Sequence, residues 1–190
     1  MSRVGNIIVL TGPSGVGKGT IVKQILQKHD DVVLSVSATT RSARPGETHG
    51  VEYYFITVDE FKQLIKDDQM LEWAVFADNH YGTFKEAVQK LVKEGKDVIL
   101  EIEVQGAMQV KDKLPEAHLV FISPPSLAEL QARLVGRATE KPEVVAKRLK
   151  IAEEELSLKN NFTYHVVNDV VVTAVKDLES VIMKIREQNK

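Results

Sequence analysis

Gly12-Pro13-Ser14-Gly15-Val16-Gly17-Lys18-Gly19-Thr20 follows directly on the apolar run Ile7-Ile8-Val9-Leu10. A short β-type run, a glycine-rich turn, a lysine and then a helical pattern are the parts a phosphate-binding loop requires. The glycines let successive backbone N–H groups curl around an anion. Lys18 adds positive charge where β- and γ-phosphates would lie, and the helix starting near Gly17 aims its positive dipole end at the same place. A glycine-rich turn can also be a plain strand-to-helix connection, but the strand before it and the helix after it favour a nucleoside triphosphate site. Gly19 stands where Ser or Thr usually follows the lysine. The hydroxyl comes one residue later at Thr20, the candidate metal-side group for Mg²⁺, directly or through water.

The surrounding chain has 190 residues, enough for one packed domain with small appended lobes. With 43% hydrophobic and 27% charged residues it has an ordinary globular composition. A formal net charge of −2 argues against a general nucleic-acid binder, whose footprint would be basic. Zero cysteines exclude disulfides and thiolate metal sites and fit a reducing compartment. The apolar run after Arg3 is too short for a signal peptide or a membrane span, so the expectation is a cytoplasmic protein without a membrane partner.

Short apolar runs at Ile7–Leu10, Val32–Leu34, Val98–Leu100, Leu119–Ile122 and Val166–Val167 read as strands buried on both faces. Helical patterns alternate with them. Ile21, Val22, Ile25 and Leu26 form one apolar face, and Ala87, Val88, Leu91 and Val92 another. Val171, Val175, Leu178, Ile182 and Ile185 step as an amphipathic helix should. The alternation predicts an α/β fold with a parallel sheet and helices on both sides, its ligand at the carboxyl ends of the strands. Between about Ser35 and Gly82 lie a strand over Tyr53–Ile56 and a helix over Asp59–Lys66 capped by Asp59, a segment that looks like a substrate lobe. Residues from Pro124 to about Lys159 carry Arg133, Arg137 and Arg148 around the break Gly136…Pro142 and read as a lid. The five histidines are scattered without metal-ligand spacing, and Trp73 reads as core.

Arg41 and Arg44, three apart and followed by Tyr53, suit a second phosphate group, because guanidinium forks match phosphate oxygens. The plain alternative is a pair of solvated loop charges. Here the ordered motifs carry a resemblance. GPSGVGKGT (12–20), SVSATTRSARPGE (35–47), HGVEYYF (49–55), VDEF (58–61), LEWAVF (71–76), YGT (81–83), LEIEVQG (100–106), ISPPS (122–126), LVGRATE (134–140), AKRL (146–149) and VVND (166–169) together resemble the guanylate kinase family almost end to end.

The resemblance implies a three-layer phosphate-loop fold. Its core is 1–34, 84–125 and 160–190, its GMP-binding lobe 35–83 and its lid 126–159. It also implies the reaction ATP + GMP → ADP + GDP, with Mg²⁺ accompanying ATP, lobe closure, and dGMP as a second acceptor candidate. By position it assigns Arg41, Arg44, Tyr53 and Tyr81 to the GMP phosphate. Ser37, Glu72, Thr83 and Glu101 go to the guanine base or its surroundings. Lys18, Arg41, Arg133, Arg137 and Arg148 become the catalytic cations. Glu101 and Glu103 stand where many members carry aspartate, and Ala138 where glycine commonly follows the lid arginine.

The residue chemistry agrees. Guanine offers N–H donors at N1 and N2, both of which a fixed carboxylate at Glu72 accepts, whereas adenine strands it. Arg133 and Arg137 share a helix face with nothing acidic between them, which suits an anion between the two guanidinium groups. No general base is expected, since a phosphate monoester has its second pKa at about 6. Two other readings remain: an inactive guanylate-kinase-like module that binds protein partners, and a kinase for another nucleoside monophosphate. The sequence leaves monomer and homo-oligomer both open.

Overall fold

The computed structural model describes residues 3–135 and 142–188. The chain divides into two compact units: residues up to Ile8 with Asp31–Ala117, and Val9–Asp30 with residues from His118 onward. Strand β1 (Ile7–Thr11) contributes to both, and all five of its residues are buried.

The first unit holds β2 (Val32–Leu34) and β7 (Asp97–Glu101), paired in parallel with Val33 opposite Val98. It also holds a four-stranded sheet made of β3 (Ala38–Thr39), β4 (Tyr54–Phe55), β5 (Met70–Phe76) and β6 (Asn79–Phe84), in the order β4-β3-β6-β5. Its helices are α2 (Val58–Lys66), α3 (Lys85–Lys93) and α4 (Val104–Lys113). The second unit holds α1 (Lys18–Lys28), β8 (His118–Ser123), α5 (Leu127–Val135), α6 (Pro142–Ser157), β9 (Tyr164–Val167) and α7 (Val171–Gln188). β8 and β9 pair in parallel, Val120 opposite Tyr164. The five-stranded sheet reads β2-β7-β1-β8-β9, the parallel core of an α/β fold as expected.

Burial follows composition. The apolar centres of β1, β7 and β8 are covered on both faces, as parallel strands between helices are. On α7 the buried residues are Ala174, Val175, Leu178, Ile182 and Ile185, one stripe at helical spacing. In α5 and α6, Leu130 and Leu134 pack with Val145, Ala152 and Leu149. Trp73 packs with Phe61, Met70 and Ala38, the core role expected of it.

Four local expectations need correction. Leu34 of β2 and Val167 of β9, on the two edge strands of the five-stranded sheet, are exposed rather than buried on both faces. Asp59 does not cap α2. Thr57 does, its hydroxyl accepting from Glu60 N at 3.2 Å while the Glu60 carboxylate accepts from Thr57 N at 2.7 Å. That reciprocal pair satisfies two end donors at once and outcompetes a lone aspartate two residues later. The strand at Tyr53–Ile56 shortens to Tyr54–Phe55, and Ala87 on α3 is exposed, the buried residue of that helix being Val88.

Candidate active site

In the second unit, the Gly12–Thr20 loop leaves β1 and enters α1. Gly17 is its hinge. It sits at the α1 N-cap with φ +94°, and a Cβ there would lie 2.6 Å from Asn168 Nδ2. Gly12 is required by close approach, since a Cβ would come within 2.1 Å of the Ile122 carbonyl oxygen. Val16 N donates to Pro13 O at 3.1 Å, closing the turn. The Lys18 ammonium donates to Gly12 O at 2.6 Å, so its charge lies across the loop mouth. Ser14 Oγ accepts from the Arg148 guanidinium at 2.6 Å, which ties α6 to the loop. Gly19 and Thr20 are exposed on the first turn of α1, where unpaired N–H groups and the helix dipole favour an anion.

Asn168, the third residue of the VVND motif, holds this loop. Its side-chain amide donates to Val16 O at 2.7 Å, while its own backbone N–H donates to Ser123 O at 2.8 Å. Arg133 donates to the carbonyls of Asn168 at 2.8 Å and Asp169 at 3.2 Å, and its Nε to Glu129 at 3.1 Å. Arg133 is therefore not the unrelieved cation expected, because Glu129, one turn before it, supplies a counter-charge. Arg137 and Ala138 lie outside the described residues, as does the break Gly136…Pro142 apart from the first residue of α6.

In the first unit, Ser37, Tyr53, Glu72, Tyr81 and Glu101 line one cavity of about 230 Å³ together with Ala74, Phe76, Gly82, Ile102 and Glu103. The register of β5 on β6 explains the placement of Glu72. Met70 lies opposite Phe84 and Glu72 opposite Thr83, with a bulge between. A regular ladder would put Leu71 opposite Thr83; the extra residue brings the carboxylate there instead. Glu72 is 3% exposed, and its Oε1 accepts from the Thr83 hydroxyl at 2.7 Å. Burial pushes its pKa up to about 7, the Thr83 hydrogen bond and Lys113 opposing that shift. Thr83 is itself fully buried and stands behind Glu72 rather than on the cavity wall.

Beside the cavity, Arg41 lies 5.5 Å from the Tyr53 ring centroid and 5.7 Å from that of Phe55. The Tyr53 and Tyr81 rings meet edge to face at 6.0 Å. Glu47 takes both Arg41 nitrogens at 2.9 Å and accepts from Arg44 N at 2.7 Å. Those contacts hold the Glu47 carboxyl below its usual range and raise Arg41 further above its own. Burial, with the neighbouring Tyr81, raises Tyr53, so its hydroxyl stays a donor at neutral pH. Arg44 is exposed on the same turn.

The two clusters have different chemistry. One is a glycine cradle with a lysine at a helix N-terminus, fit for a polyphosphate; the other joins an arginine–tyrosine group to a buried acceptor, fit for a phosphorylated purine. Together with the parallel α/β sheet they define a phosphate-loop protein that handles nucleotides. The family model described as guanylate kinase matches residues 4–185, and the chain belongs to the guanylate kinase family. It is 50% identical over 179 residues to a guanylate kinase of Clostridium perfringens, covering 94% of this chain and 83% of that one. A Lactococcus lactis guanylate kinase is 50% identical over 182 residues, 96% of this chain and 89% of that one. A crystal structure of guanylate kinase from Anaplasma phagocytophilum superposes with a TM-score of 0.76 at 31% identity, covering 99% of this chain and 88% of that one.

Proposed function

We propose that this chain transfers the γ-phosphoryl group of ATP to GMP, giving ADP and GDP. The observation that carries the reading is Glu72, a buried carboxylate hydrogen-bonded from behind by Thr83 and lining a purine-sized cavity, in a chain of the guanylate kinase family.

Glu72 accepts from guanine N1–H and the 2-amino group. Ser37 and Glu101 complete the base site, and Arg41, Arg44, Tyr53 and Tyr81 hold the GMP phosphate. Gly12 to Thr20 wrap the ATP phosphates through backbone N–H groups. Lys18, Arg133, Arg137 and Arg148 join Arg41 in offsetting charge on the transferring group. The attacking oxygen of GMP is already largely ionised near pH 7, so the protein needs no base and acts by alignment and charge stabilisation. The division into core, GMP-binding lobe (35–83) and lid (126–159) is part of this proposal, as are action on dGMP, a cytoplasmic site of action and independence of nucleic acid or membrane. Among the described residues no helix is long and apolar enough to cross a membrane.

The residues fit Mg²⁺ carried in with ATP. Thr20 places an exposed hydroxyl beside the cradle, and no group of three or more His, Asp or Glu among the described residues forms a cage of its own. That suits an ion which keeps much of its water and takes one or two protein ligands plus substrate phosphates. When bound, Mg²⁺ neutralises phosphate charge.

The test is base selectivity. Glu72→Gln lowers the preference for GMP over AMP at least tenfold and leaves the KM for ATP within twofold. An unchanged preference would remove Glu72 from the base site.

A further inference from the structure

α4 meets β5 through one face. Gly106, Gln109 and Lys113 are spaced by three and four and so line up along the helix. Each faces a neighbour of the base-site strand. A Cβ on Gly106 would lie 2.2 Å from Glu72 Oε2 and 3.1 Å from its carboxyl carbon, so only glycine leaves room for the carboxylate where it sits. Gln109 Nε2 donates to Trp73 O at 2.6 Å, and Trp73 N donates to Gln109 Oε1 at 3.1 Å. Lys113 donates to Met70 O at 3.2 Å.

β5 is the edge strand of its sheet, with β6 on one side only. In an antiparallel ladder every second residue turns its N–H and C=O away from the partner, and Trp73 is such a residue. The Gln109 amide fills that position as a further strand would. It thereby pins the backbone of the residue next to Glu72, while Thr83 fixes one carboxylate oxygen from behind.

We propose that Gly106 and Gln109 are positioning residues that set the purine selectivity of this chain, α4 serving as the template that aims the Glu72 carboxylate into the cavity. The inference rests on the reading of Glu72 as the guanine acceptor. A plain structural role, in which Gln109 merely covers a strand edge, accounts for two hydrogen bonds. It does not account for a helix backbone packed so close that one methyl group would displace the carboxylate. Base selectivity is then a property of the α4–β5 register as well as of Glu72. A small displacement suffices, because two N–H donors on one edge of guanine must meet two oxygens in one plane.

The experiment measures KM for GMP, KM for ATP and the GMP:AMP ratio of kcat/KM in Gly106→Ala and Gln109→Leu. Gly106 stands in the first turn of α4 with no positive φ, a backbone that alanine adopts, so Gly106→Ala keeps the fold while its methyl group occupies the carboxylate position. We expect each variant to raise KM for GMP at least tenfold and to lower the GMP:AMP ratio at least tenfold, with KM for ATP within twofold of the parent. In a Glu72→Ala background, where no carboxylate remains to displace, Gly106→Ala should change KM for GMP less than twofold. Unchanged GMP kinetics in Gly106→Ala would overturn the inference. So would parallel losses for GMP and ATP, or a full further loss in the Glu72→Ala background. A parent protein that turns over no GMP would overturn the underlying reading and this inference with it, whereas an active parent with unaffected variants overturns this inference alone.

Discussion

Glu47 grips Arg41 with both carboxylate oxygens, each 2.9 Å from a guanidinium nitrogen, and the guanidinium lies over the rings of Tyr53 and Phe55. A planar fork held on one edge by a carboxylate and on one face by aromatic rings has a single orientation. Arg41 is thus aimed before any phosphate arrives.

Arg41→Lys should therefore behave as a loss, not a conservative change. Lysine keeps the charge but offers no fork, so both the Glu47 pairing and planar phosphate recognition go. We expect KM for GMP to rise at least tenfold with KM for ATP within twofold, read from steady-state kinetics with each substrate varied in turn.

Glu72 couples stability to pH. Its carboxyl is raised in the folded protein from about 4.5 to about 7, so the folded state holds its proton more tightly than the unfolded chain does. The sign follows: the favourable contribution is complete below pH about 4.5 and is lost as pH rises through about 7. A shift of that size corresponds to roughly 3 kcal/mol. Glu72→Gln keeps an acceptor for Thr83 without the charge, so its Tm should exceed the parent's by several degrees at pH 8 and converge with it near pH 5. Differential scanning calorimetry across that range checks it. The same titration affects binding, because only the ionised acid accepts two N–H donors. Between pH 6 and 8 the parent's KM for GMP should fall more steeply than the variant's.

Gly17→Ala tests the loop. An alanine at φ +94° is strained, and its Cβ meets the Asn168 amide that holds Val16 O. Strain of this kind costs about 1–3 kcal/mol. The expected outcome is a lower Tm together with weaker ATP binding, measured by thermal unfolding with and without Mg-ATP. A loop tolerant of the change would show neither.

What was legible in the sequence had local causes. The Gly12–Thr20 loop, the buried runs of β1, β7 and β8, and the stripe on α7 all announce themselves within one element. The hairpin of β5 and β6 did not. Its two-residue turn, Ala77-Asp78, has φ of +48° and +62°, the backbone of a turn that normally advertises itself as Asn-Gly or Asp-Gly. The bulge after Met70 hides the strand alternation as well. No acid lies between Arg133 and Arg137, and the one that relieves Arg133, Glu129, stands one turn before it. Gly106 and Gln109 were out of reach because their meaning lies in contacts with residues more than thirty positions away. Glu72 itself was legible mainly through the order of motifs, its apolar neighbours Leu71 and Trp73 adding a weaker local sign that the acid is buried.

The most direct measurement is ADP release from Mg-ATP with GMP, dGMP, AMP, CMP and UMP as separate acceptors, beside a Lys18→Ala control. Turnover is expected with GMP and dGMP, at least a hundredfold less with the other three, and none in the control. Equal turnover of AMP, or no turnover with any acceptor in a folded protein, would contradict the proposed function.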